Sequence, residues 1–232
     1  MVQPIACCVF ACQKARIGAG HSVIITGAGP MGVMCAMVAQ ASGACDIIIL
    51  DISSDRLKIA EKALGSACKY ILNDVNRSPK DTADFLVEKY LNGRRADVSM
   101  ECSGAESCVQ IAVYVILRYS FKPIFILFSH QATRSTGVVM LVGIGAPMVK
   151  IPLVDALTRE IEIRSVFHFA NVYPKSIALI ASKKLDPMKL VTHIVPLEQG
   201  VDAYEMATNP AKSGAVKVIV DCEENSKLQV LK

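Results

Sequence analysis

The chain has 232 residues, 52% of them apolar and 20% charged, and 25 Lys and Arg against 21 Asp and Glu leave a net charge of +4. That much apolar side chain excludes an intrinsically disordered protein, and a small positive excess with no basic block gives no sign of a nucleic-acid or anionic-membrane partner. The nine cysteines are an odd number without a C-x-x-C pair, which fits a reduced, cytoplasmic chain with small buried thiols better than a disulfide framework.

Residues 1–20 read as a lone amphipathic helix. Its basic residues, Lys14 and Arg16, follow the apolar run, the reverse of the order in a signal peptide. Cys7, Cys8 and Cys12 lie on this helix, the last two one turn apart, and core packing is expected of them ahead of a soft-metal site. β-branched runs then predict buried strands over 22–26, 46–51, 70–72, 97–102, 138–142 and 160–166, with helices over 31–42, 55–64, 79–91 and 106–114 between them. Ser53 or Ser54 can cap the second of these helices, and Ser78 followed by Pro79 is a cap and first-turn proline for the third. Alternation of this kind predicts an α/β domain, a doubly wound parallel sheet covered on both faces, over residues 21–169. Residues 170–232 read as a C-terminal α+β segment: a helix over 173–184, a short strand, a helix over 197–208 and a strand over 216–222.

The 24 residues from Ser22 to Cys45 carry no charge, long enough to suggest a membrane span. Gly27, Gly29, Pro30 and Gly32 fall in its first half, however, and would break a lipid-exposed helix. A buried strand, a tight turn and a buried helix account for the same apolarity, so no membrane partner is expected.

The turn itself, Gly27-Ala28-Gly29-Pro30-Met31-Gly32, is G-x-G-x-x-G between a strand and a helix. Gly27 permits the tight turn, Gly29 lets the backbone approach a pyrophosphate, and Gly32 lets helix and strand pack, while the helix N-terminus offers N–H donors to phosphate. Glycines also serve ordinary turns, so the motif alone is weak. It gains weight from Asp51, which ends the second strand 19 residues after Gly32. A carboxylate there accepts ribose hydroxyls and repels a 2′-phosphate, favouring NAD over NADP.

Several blocks in order carry a resemblance. VIITGAGPMGVMCAMVAQASGA, DIIILD, RLKIAEKALGS, VSMECSGAESCVQ, MLVGIG, IPLVDALTREIEIRSVF and LVTHIVPLEQGVDAYE resemble the sorbitol dehydrogenase branch of the zinc-containing medium-chain alcohol dehydrogenase family, from about Pro4 to Cys222. The resemblance implies a Rossmann fold and NAD-dependent oxidation of a polyol to a ketose. It implies that Met31 lies by the pyrophosphate and that Asp51 and Arg56 lie at the adenosine ribose. Val142, Gly143 and Ile144 would meet the nicotinamide end, as would Val166, Phe167 and His168. It also implies a homo-oligomer formed through the edge of the sheet, around Ile151 to Val166.

Set against the family pattern, the sequence departs in four places. The zinc-bearing catalytic domain is not found, so residues 1–20 are expected to be a remnant of the link to it, and residues 170–232 a segment that would pack on it. No zinc-ligand set stands among the residues present. Isolated His21 and His193 are expected to be structural. Gln3 occupies a position where the family carries a Glu beside the zinc, and His168 with Phe169 replaces an Arg-Tyr pair that contacts the polyol; neither ring reproduces a guanidinium fork or a phenol hydroxyl. Residues 115–131 are expected to be an apolar insertion, broken by Pro123. Two readings follow: the coenzyme-binding half of an NAD-dependent polyol dehydrogenase, or a catalytically inactive NAD-binding module that associates with full-length homologues.

Overall fold

A computed structural model describes residues 1–116, 137–223 and 226–231. Six strands, β1 (Ser22–Thr26), β2 (Asp46–Asp51), β3 (Cys68–Leu72), β4 (Val98–Glu101), β5 (Val138–Leu141) and β6 (Glu162–Ser165), pair in parallel in the order β3-β2-β1-β4-β5-β6. This is the doubly wound, Rossmann-type sheet expected from the sequence. The order reverses between β1 and β4, which opens a crevice at the carboxyl ends of those two strands.

Adjacent residues on a strand face opposite sides of a sheet, and the core divides accordingly. Ile25 and Ile49 join α1 (Val2–Lys14), α2 (Pro30–Ala41) and part of α3 (Ser54–Leu64) on one face. Ile24, Ile48 and Leu50 meet α4 (Pro79–Tyr90) and α5 (Glu106–Val115) on the other. Two helices begin on the serines expected to cap them: Ser53 Oγ accepts the Arg56 N–H, and Ser78 Oγ accepts the Asp81 N–H ahead of Pro79.

After α6 (Leu153–Thr158) and β6 the chain continues into α7 (Tyr173–Ala181), β7 (His193–Pro196), α8 (Gly200–Thr208), α9 (Pro210–Ser213), β8 (Val218–Asp221) and β9 (Gln229–Val230). The last three strands form a separate small sheet in which β7 is parallel to β8 and antiparallel to β9. His193 opens β7 and its Nδ1 lies 3.0 Å from Thr192 Oγ1, a local structural contact.

The first helix is not alone. Ile5, Ala6, Cys8, Val9, Ala11 and Cys12 are buried, and α1 packs against α2 and α7. Consequently α2 lies between the sheet and α1, and every residue from Gly32 to Ala39 is buried. That placement explains the uncharged stretch through this region. Among the described residues no helix is long and apolar enough to cross a membrane.

Of the expected insertion, Val115 ends α5 and Ile116 bridges to Ala96, both fully buried; residues 117–131 lie outside the described residues.

Candidate functional site

The site is assembled from turns on the carboxyl edge of the sheet. Gly27 leaves β1 with φ 103°, Gly29 is the N-cap of α2, and Pro30 occupies its first turn. No side chain caps this helix, so its first N–H groups face outward as donors for an anion. Two of the glycines stand in opposite surroundings. A Cβ on Gly32 would fall 1.8 Å from the Gly27 carbonyl oxygen, so the turn itself demands glycine there. A Cβ on Gly29 would meet nothing within 4 Å, and its φ of −72° suits any residue. The fold therefore makes no demand at position 29, and the empty space beside it fits a group from outside the chain, as a pyrophosphate would be.

Asp51 ends β2 beside this turn, 7% exposed. Its Oδ2 accepts the Ala28 N–H at 2.7 Å and its Oδ1 the Ser53 N–H at 2.8 Å. One carboxylate thus shapes the glycine turn and orders the start of α3. Each oxygen keeps a further lone pair, so acceptance from ribose hydroxyls is compatible with both bonds. Arg56 stands exposed in the first turn of α3.

A second buried carboxylate had no place in the sequence-based reading. Glu101, 1% exposed at the end of β4, accepts the Ser103 N–H at 2.8 Å, the Ser103 hydroxyl at 2.6 Å and the Gly104 N–H at 2.9 Å, all on Oε1. Its backbone carbonyl accepts the Val142 and Gly143 N–H groups, at 2.8 and 2.9 Å. Glu101 therefore holds the turn after β4 against the turn after β5. An acidic residue at the end of an otherwise uncharged strand is the one clue the sequence offered.

Around the same edge, Met31, Val142 and Gly143 are half-buried, whereas Ile144 is 81% exposed. Val166 is half-buried after β6; Phe167 and His168 are exposed with their rings edge to face, 4.4 Å between centroids. Phe169 packs edge-on against Tyr173 at 4.9 Å. Gln3 lies exposed in the first turn of α1, where its amide approaches Cys7 Sγ at 3.6 Å. The fold thus gathers the ends of β2, β1, β4, β5 and β6 along one edge. Among the described residues no group of three or more His, Cys, Asp or Glu is placed to hold a metal ion, so a catalytic zinc does not fit the residues described.

With that geometry in place, the chain can be compared with known proteins. A family model described as zinc-binding dehydrogenase matches residues 30–119. Sorbitol dehydrogenase of Rattus norvegicus is 34% identical over 227 residues, which is 98% of this chain and 57% of that protein. Among solved structures, 2R,3R-butanediol dehydrogenase from Bacillus subtilis superposes with a TM-score of 0.75 at 22% identity, covering 96% of this chain and 56% of the other. A short chain alcohol dehydrogenase of Escherichia coli complexed with NADH gives 0.77 at 18% identity, with 96% and 58% covered. The chain spans a little over half the length of the relatives it matches.

By its six-stranded sheet and covering helices, this is a Rossmann-type α/β fold of the kind seen in 2R,3R-butanediol dehydrogenase. More particularly, residues 30–119 match the zinc-binding dehydrogenase model, and the chain is similar over nearly its whole length to sorbitol dehydrogenase.

Proposed function

We propose that this chain binds NAD at the carboxyl edge of the sheet and serves as the coenzyme-binding part of an oxidoreductase of the sorbitol, or polyol, dehydrogenase type. The observation that carries the proposal is the pairing of empty space at Gly29 with a buried carboxylate, Asp51, bonded to the same turn. Gly27, Gly29, Met31 and Gly32 surround the pyrophosphate; Asp51 accepts from the adenosine ribose, and Arg56 lies against the adenine ring. Val142, Gly143 and Ile144, with Val166, Phe167 and His168, line the nicotinamide end, where ligands of such sheets sit. Nine free cysteines support a reducing, cytoplasmic setting, and the substrate class is a small polyol.

Titration with NADH and with NADPH, followed by fluorescence, tests the assignment. NADH should bind more tightly, because a 2′-phosphate would meet the Asp51 carboxylate. Equal or tighter NADPH binding would overturn it.

A second reading keeps the coenzyme and drops the turnover. It is favoured by the departures at Gln3, His168 and Phe169 and by the lack of a metal-holding group among the described residues. In that reading the chain associates with itself or with full-length homologues along β6, an edge strand of the sheet, flanked by exposed Leu153, Val154 and Leu157 on α6.

A further inference from the structure

Three turns on the carboxyl edge of the sheet lie backbone against backbone. A Cβ on Gly27 would fall 3.1 Å from the Ser103 nitrogen, and the Cys102 N–H donates to the Thr26 carbonyl at 2.8 Å. The turn after β4 therefore abuts the glycine turn. Its other side meets the loop after β5. A Cβ on Gly145 would fall 1.8 Å from the Gly104 carbonyl oxygen, and one on Gly143 would fall 2.4 Å from the Gly104 nitrogen and 2.8 Å from Glu101 Oε2. Gly104 itself has φ 76°, and a Cβ there would lie 2.5 Å from the Ile144 carbonyl oxygen. Glycine at these positions is what lets two backbones come so close.

Residues 142–152 lie outside helix and strand, so no regular ladder of backbone bonds sets their course. The loop is held at two points instead. At its far end Glu106 Oε2 accepts the Lys150 N–H at 2.9 Å, and the Gln110 side-chain amide donates to the Lys150 carbonyl at 3.0 Å, both from α5. At its near end stands Glu101. Its main-chain carbonyl takes the Val142 and Gly143 N–H groups, and its carboxylate takes those of Ser103 and Gly104. Gly104 is the residue against which Gly143 and Gly145 rest.

We propose that Glu101 is a positioning residue for the nicotinamide half of the coenzyme, an inference that rests on the reading of this edge as an NAD site. A dinucleotide lying there reaches from the glycine turn to Val142, Gly143 and Ile144, so the spacing of the two must match one ligand. Glu101 sets that spacing through Ser103 and Gly104. It acts through the backbone, being 1% exposed, whereas Ile144 is 81% exposed. A loop fixed beforehand spares the ligand the cost of ordering it. The glycine turn has bonds of its own, from the Gly27 N–H to the Leu50 carbonyl at 2.7 Å and from the Ala28 N–H to Asp51. Loss of Glu101 should therefore fall on the nicotinamide half and spare the adenosine and pyrophosphate.

The test compares NADH with ADP-ribose, which has the same adenosine and pyrophosphate but no nicotinamide, by calorimetry on the 232-residue chain. Glu101→Ala takes the acceptor from two N–H groups and should weaken NADH about tenfold or more, with ADP-ribose held within about twofold. Glu101→Gln keeps an acceptor oxygen at the same reach without the charge and should bind NADH as the parent does. Should Glu101→Ala fail to fold, Glu101→Asp is read in its place with the same expectation, since it keeps the charge but draws the oxygens back by a methylene. Equal weakening of both ligands, weakening of neither, or a loss in Glu101→Gln that matches Glu101→Ala overturns the inference and leaves the NAD reading standing. A parent chain that binds neither ligand overturns both.

Discussion

Gly29 and Gly32 stand three residues apart in one motif and answer to different demands. At Gly32 the neighbour is backbone, the carbonyl oxygen of Gly27, and a methyl group there has nowhere to go. At Gly29 the surroundings are open. Substitution separates the two roles. Gly32→Ala should destabilise the fold by about 1–3 kcal/mol through overpacking, read as a lower urea midpoint. Gly29→Ala should leave the midpoint within about 0.5 kcal/mol of the parent chain, as expected away from packed features, yet weaken NADH binding markedly. If Gly29→Ala binds NADH as well as the parent, the pyrophosphate does not lie there. Asp51 was legible as a strand-terminal carboxylate, and the proposed preference for NAD rests on that position. Its bond to Ala28, 23 residues away, was not legible, because it depends on the register that sets Thr26 opposite Leu50. Asp51→Ala should cost about 1–3 kcal/mol in the absence of any coenzyme, since the buried Ala28 N–H loses its acceptor. An unchanged denaturation midpoint would mean that water replaces the carboxylate without loss.

At the scale of elements, the strands and helices of the large sheet were legible because buried parallel strands and capped amphipathic helices leave strong patterns. Their ends were less so. The strand expected over 160–166 starts only at Glu162, because Glu160 has φ 51°, a left-handed turn conformation that no strand continues through. The strand expected from residue 70 begins at Cys68, drawn into pairing with Ile47 by tertiary register. The larger difference is α1. Its apolar stripe was visible, but nothing local says that the stripe faces α2 and not the sheet. What did carry the information was α2, whose lack of charge on every side requires cover on every side. The cover is substantial: Ile5 on α1 is fully buried in the core that includes α2. Ile5→Ala should therefore cost about 2–5 kcal/mol, the range for removing a large buried aliphatic group. A change under about 0.5 kcal/mol, typical of exposed positions, would show that α1 is only loosely attached.

Taken whole, the molecule gathers the site proposed for NAD along one edge, and no described group of three or more His, Cys, Asp or Glu is placed to hold a metal ion. Hydride transfer from a polyol requires its hydroxyl proton to be removed, and an alcohol in neutral water gives that proton up only to a well-placed base or under the field of a metal ion. Two of the candidate bases on this edge are engaged, and the third is open to solvent. Asp51 accepts two backbone N–H groups, Glu101 accepts two backbone N–H groups and a hydroxyl, and His168 stands exposed against the Phe167 ring. The thiols of Cys8 and Cys12 donate to backbone carbonyls, those of Met31 and Cys35. Binding and turnover should therefore separate in the 232-residue chain. It should bind NADH, and the signal should vanish with the loss of Asp51. With sorbitol or xylitol it should reduce no NAD above the buffer rate, whether or not zinc is added. Retention of one zinc per chain together with steady polyol turnover would refute this, and would mean that the cysteines near the N-terminus or a histidine assemble into a metal site under those conditions.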